Sequence, residues 1–91
     1  MPRYLVERTF WAPVRTGTAA DGRATDHCAE VIRANAREGV TWIHSFVTPD
    51  RCRSFCIVDS ASPEAIRVAA QATALPVDRI TEVRVLDPYF L

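Results

Sequence analysis

Ninety-one residues, of which 48% are hydrophobic and 24% charged, describe an ordinary globular chain and exclude a disordered one. Eleven basic side chains, all of them arginine, balance eleven acidic ones, so the basic footprint of a general nucleic-acid binder is missing and no nucleic acid is expected as a partner. The start, MPRYLVERTF, is not a charged segment followed by an apolar stretch, and no run approaches membrane-spanning length; a cytoplasmic protein with no membrane partner is expected.

The first strand is predicted over residues 3–10, RYLVERTF, where β-branched and aromatic types gather ahead of Ala12-Pro13. Residues 13–23, PVRTGTAADGR, hold two of the three glycines among small and polar residues and read as a loop. From Thr25 or Asp26, Cys28, Val31, Ile32 and Ala36 recur at helical spacing, with Gly39 placed to cap the helix end. Residues 40–47, VTWIHSFV, and 54–59, SFCIVD, are strand-like runs around a Pro-Asp turn, which predicts a hairpin. Ser62-Pro63-Glu64 is a helix start, with serine as N-cap and proline in the first turn, and EAIRVAAQATA carries the helix to Pro76. The run ITEVRVL alternates as a strand should and ends at Asp87-Pro88, ahead of the tail Tyr89-Phe90-Leu91.

The order βαββαβ predicts an α+β, ferredoxin-like domain spanning residues 1–91, a four-stranded antiparallel sheet with both helices on one face. The other face must be wetted or covered. In residues 40–47 one parity gives Val40, Trp42, His44 and Phe46 and the other Thr41, Ile43, Ser45 and Val47, so neither side is plainly polar. Two such sheets packed face to face would bury both, which predicts a homodimer forming a dimeric α+β barrel, with the aromatic tail crossing onto the partner.

Cys28, Cys52 and Cys56 are odd in number and lack CxxC spacing, so free thiols are expected rather than a disulfide framework or a structural zinc. His44 stands in an otherwise apolar strand, where its ring nitrogens need hydrogen-bond partners or a ligand. A strand-pairing sum of 100 would set Cys56 directly opposite it, bringing a nitrogen and a sulfur together. That pair suits nickel, copper or zinc, with Glu7 or Glu82 on the neighbouring strands as the oxygen donor. The plainer reading makes Cys56 a small core hydrophobe, His44 a hydrogen-bonded core residue and the two glutamates surface partners of Arg8 or Arg84. Asp26, His27, Cys28 and Glu30 at the first helix start read either as a peripheral metal patch or, more plainly, as a solvated helix start. Cys52, between Arg51 and Arg53, reads either as a reactive thiol in a basic setting or, more plainly, as a surface thiol without function. No phosphate-cradling glycine pattern occurs, and Ser45 alternates away from His44.

The blocks RYLVERTF, VTWIHSFV, FCIVD, SPEAIRVAA, LPVDRITEV and LDPYF resemble a small actinobacterial domain-of-unknown-function family whose characterised member is a nickel-binding protein. The resemblance covers residues 3–10 and 36–91 and departs over residues 11–35, so His27 is not carried over. It implies a ferredoxin-like monomer that pairs into a dimeric α+β barrel and holds a nickel ion, with His44 and Cys56 as the carried-over ligands.

Three functions are therefore in view. One is a nickel-binding or nickel-sequestering protein built on His44, Cys56 and Glu7 or Glu82. The alternative is a cofactor-independent small-molecule enzyme of the isomerase or monooxygenase type, with Tyr4, Trp42 and Phe46 lining a pocket under the sheet and His44 as general base. The third is an interaction module whose polar residues satisfy one another.

Overall fold

A computed structural model describes residues 1–11 and 26–90, with side chains from Cys28 onward in the second stretch. The loop expected over 13–23, the helix start at Thr25, the side chains of Asp26 and His27, and Leu91 lie outside the described residues. Within them the elements are β1 (Arg3–Thr9), α1 (Asp26–Arg37), β2 (Thr41–Val47), β3 (Arg53–Asp59), α2 (Pro63–Ala72) and β4 (Arg79–Val83). The order is the one expected. The strands form a single antiparallel sheet ordered β2-β3-β1-β4.

Alternation along the two central strands sets the two faces. Tyr4, Val6 and Arg8 of β1 turn inward, as do Ser54, Cys56 and Val58 of β3. Of these, Tyr4, Val6, Cys56 and Val58 meet Ile66 of α2 and Val40 in one core cluster, with Trp42, Val77 and Ile80 packed against it. In α1, Val31 and Ala34 are buried while Ile32 and Ala36 face water, so its apolar stripe lies one position away from part of the expected spacing. This helix packs on α2 and β2. Among the described residues Arg8 is the one charged side chain drawn into this layer, only 7% exposed, and its Nη1 donates to the carbonyl of Pro76 at 2.8 Å.

Local chemistry explains the ends. Gly39 has φ +69°, a left-handed turn that costs glycine little, and it lets the Val40 amide reach back to the Asn35 carbonyl at 2.8 Å. Ser62 caps α2 by accepting from the Ala65 amide at 3.3 Å, with Pro63 following it. That helix closes on a left-handed residue that is not glycine: Ala74 at φ 55°, with the Leu75 amide bonded to the Ala70 carbonyl at 3.0 Å. The β2–β3 turn is tied by Asp50, which accepts from the Thr48 hydroxyl at 2.6 Å and the Cys52 amide at 2.9 Å. Those two bonds hold the Asp50 carboxyl below its usual range.

Two differences from the expected elements matter for function. First, β2 does not pair in one register. Thr41 and Trp42 pair with Asp59 and Val58, whereas His44, Ser45 and Phe46 pair with Ile57, Cys56 and Phe55, leaving Ile43 as an extra residue between Trp42 and His44. The sum of 100 holds only before this bulge. Second, β4 ends at Val83, three residues before the alternating run does. Val83 is paired with Arg3, the first residue of β1, and ahead of Arg3 stands Pro2, which has no amide hydrogen to donate.

Candidate functional site

The bulge decides where the candidate ligands point. Before it, Trp42 shares the helix-covered face with its partner Val58. After it, Ser45 takes that face opposite Cys56, and His44 and Phe46 take the open face beside Ile57 and Phe55. The Trp42 indole N–H donates to the Ser45 hydroxyl at 2.8 Å and so spans the bulge on the covered side. His44 and Cys56 therefore do not converge, which corrects the expected pairing: a one-residue slip sends side chains to opposite faces. Cys56 is 8% exposed within the core, its sulfur 3.8 Å from the Ser54 hydroxyl.

The open face is apolar in the middle and charged at its margins. Leu5, Phe55 and Ile57 are half-buried at its centre, and Phe46 is 63% exposed near one edge. His44 is exposed there too, its ring edge-on to Phe46 with centroids 5.2 Å apart and planes at 87°. Glu7 points to this same face, but β3 lies between its strand and that of His44. Its carboxylate lies 3.8 Å from the Arg53 guanidinium, which sits 5.0 Å over the Phe55 ring. The expected partner Arg8 faces the other way.

Glu82 belongs to the helix side, paired with Tyr4 at the β4 edge, and is exposed. It lines a shallow cleft of about 350 Å³ together with Met1, Pro2, Arg3, Asp59 and Arg84. There Arg3 holds Asp59 through two bonds, Nε to Oδ1 at 2.7 Å and an Nη2 donation to Oδ2 at 3.1 Å. This pair keeps the Asp59 carboxyl below its ordinary range, the hydrogen bond from Arg3 being the larger cause. Tyr4 and Trp42 lie in or against the covered core while Phe46 faces out, so these three do not line one pocket.

Among the described residues no three His, Cys, Asp or Glu side chains gather as a metal site. The side chains of one copy thus supply His44 and Glu7 as separate donors on one face. Leu5, Phe55 and Ile57, which make that face apolar, were not singled out from the sequence. In RSFCIVD both parities are apolar, so spacing alone could not say which residues faced out. Cys52 sits in the turn with its sulfur 3.5 Å from the Asp50 carbonyl, and Cys28 is half-buried in α1.

No helix among the described residues is long and apolar enough to cross a membrane. Among curated proteins none matches the sequence. In three dimensions the chain is similar to SCO4226 from Streptomyces coelicolor A3(2), with a TM-score of 0.71 over 93% of this chain and 99% of that one, at 15% sequence identity. A likeness at that identity is one of fold: the ferredoxin-like α+β arrangement. The profile of a family described as nickel responsive protein SCO4226-like matches residues 4–83, from the second residue of β1 to the last of β4. The chain belongs to this SCO4226-like family of nickel-responsive proteins.

Proposed function

We propose that this protein binds nickel as a homodimer, and that His44 on the open sheet face provides the imidazole ligand. The observation that supports this most is the family match across the whole sheet, from Tyr4 to Val83, in a chain whose open face carries an exposed imidazole beside an apolar surface. An imidazole nitrogen with carboxylate oxygen is a donor set that nickel accepts. Because one copy does not gather three donors among its described residues, the reading requires a second copy whose open face adds to the first, with Glu7 as the oxygen donor on that face. Cys56 and Glu82, on the covered side, are not part of the proposed site. The role that follows is metal sequestration or handling.

The test is a Ni²⁺ titration of untagged protein followed calorimetrically, with metal content measured beforehand. Stoichiometric uptake that is lost in His44→Ala and kept in Cys56→Ala is expected. Uptake that survives His44→Ala, or disappears in Cys56→Ala while the protein stays folded, would sink the assignment.

A further inference from the structure

β4 is an edge strand of the sheet, paired with β1 on one side. Among the described residues no strand lies along its other side, which leaves a row of backbone amides and carbonyls facing outward. The alternating run goes on beyond the paired part: Arg84, Val85 and Leu86 are exposed, the last two by 71% and 85%. Neither proline nor lysine occurs in residues 79–87, RITEVRVLD, so two common means of blunting an edge are missing there. Charges of both signs stand in their place.

Those charges are ordered so that the edge fits itself. Residues directly opposite in an antiparallel pair both turn their amides into the gap or both away from it, so a symmetric pair of β4 strands is centred on a residue and never between two. Centring on Glu82 sets two carboxylates face to face, and centring on Arg84 two guanidinium groups, both destabilising. Centring on Thr81 sets Glu82 against Ile80, and centring on Val85 sets Arg84 against Leu86. Of these centres only Val83 matches like with like and charge with countercharge. There Glu82 opposes the partner's Arg84, Arg79 the partner's Asp87, Ile80 the partner's Leu86 and Thr81 the partner's Val85, each twice, with Val83 on the axis.

We infer that residues 79–87 form a self-complementary edge that pairs antiparallel with the same edge of a second copy, about a two-fold axis through Val83 perpendicular to the sheet. Such an axis keeps the faces in register: the helices of both copies stay on one side, and Glu82 meets Arg84 there while Arg79 meets Asp87 on the open side. Pairing extends β4 to Leu86 and joins two four-stranded sheets into one. The contact is separate from any covering of the open face, because it is made by backbone groups at the edge opposite β2, which carries His44. It therefore stands or falls independently of the nickel reading.

The experiment is a charge swap on the full chain, read by sedimentation velocity over a dilution series without added metal. Four samples are compared with wild type: Glu82→Arg, Arg84→Glu, an equimolar mixture of the two, and a chain carrying both changes. Both side chains are exposed, so the fold is kept, and circular dichroism verifies it. Each single variant places like charges opposite one another twice per pair, and the dissociation constant of the edge contact is expected to rise about tenfold or more. The mixture and the double variant restore opposite charges in this register alone, so both are expected to return to the association of wild type. Single variants that sediment as wild type does, or a mixture and double variant that stay as dissociated as the singles, overturn the edge pairing. A wild type that shows no association sensitive to either reversal overturns it as well.

Discussion

At the residue scale, three side chains define what this chain can do. His44 is exposed next to Phe46, Cys56 is sealed under the helices, and Asp59 is gripped by Arg3. Burial of Cys56 makes its substitution a packing event: Cys56→Ala should cost about 1 kcal/mol of stability in a denaturant titration and leave nickel uptake intact. Asp59 carries a pH signature. Its carboxyl is held below its ordinary range in the folded chain, so the Arg3 contact contributes stability that is complete above the unfolded carboxylate range and is lost as pH falls through the lowered folded value. An NMR titration should show the Asp59 midpoint below that of a free aspartate and rising in Arg3→Gln; an unchanged midpoint would remove the Arg3 bond as the cause. Ala74 offers the opposite case, a non-glycine residue in left-handed backbone at φ 55°. Ala74→Gly should stabilise the protein by roughly 0.5–1 kcal/mol in thermal or urea unfolding, whereas destabilisation would show that the end of α2 relaxes without strain.

At the element scale, the bulge in β2 is the feature with the widest consequences. Removing Ile43 should leave Trp42 on the covered face and His44 on the open one, since the extra residue is the one that has no partner. Deleting Ser45 instead moves Phe46 and Val47 to the opposite faces. We expect the Ile43 deletion to keep a cooperative melt and native near-ultraviolet dichroism, and the Ser45 deletion to lose both; equal behaviour would contradict the register. This element also shows how far the sequence could be read. The Ser62-Pro63 cap, the Gly39 stop and the β-branched and aromatic run of β1 each carry a local signal, and each element appears where that signal places it. The bulge carries none, because VTWIHSFV contains no glycine and is strand-forming throughout, so a regular register was the natural expectation and it misplaced His44 relative to Cys56. The end of β4 was hidden for a different reason. ITEVRVL alternates to Leu86, but pairing is limited by its neighbour, and β1 begins at Arg3 behind a proline.

At the scale of the whole molecule, the sheet has one face closed by two helices and one face whose apolar centre, Leu5, Phe55 and Ile57, is only half-buried. In the proposed dimer, a second copy would cover this open face and add donors to those of the first. If nickel binds only the folded dimer, adding it at a hundred times its dissociation constant should stabilise the protein by about 2.7 kcal/mol, read as a shift in the urea midpoint, with no shift in His44→Ala. The most direct test of the account is a nuclear magnetic resonance titration of isotope-labelled protein with Ni²⁺, since nickel held by nitrogen and oxygen donors is paramagnetic and broadens nearby amides. Broadening centred on His44 and its open-face neighbours Phe46 and Ile57, saturating at stoichiometric metal, is the predicted result. Broadening centred on the Ser54–Cys56 core with His44 sharp would contradict it.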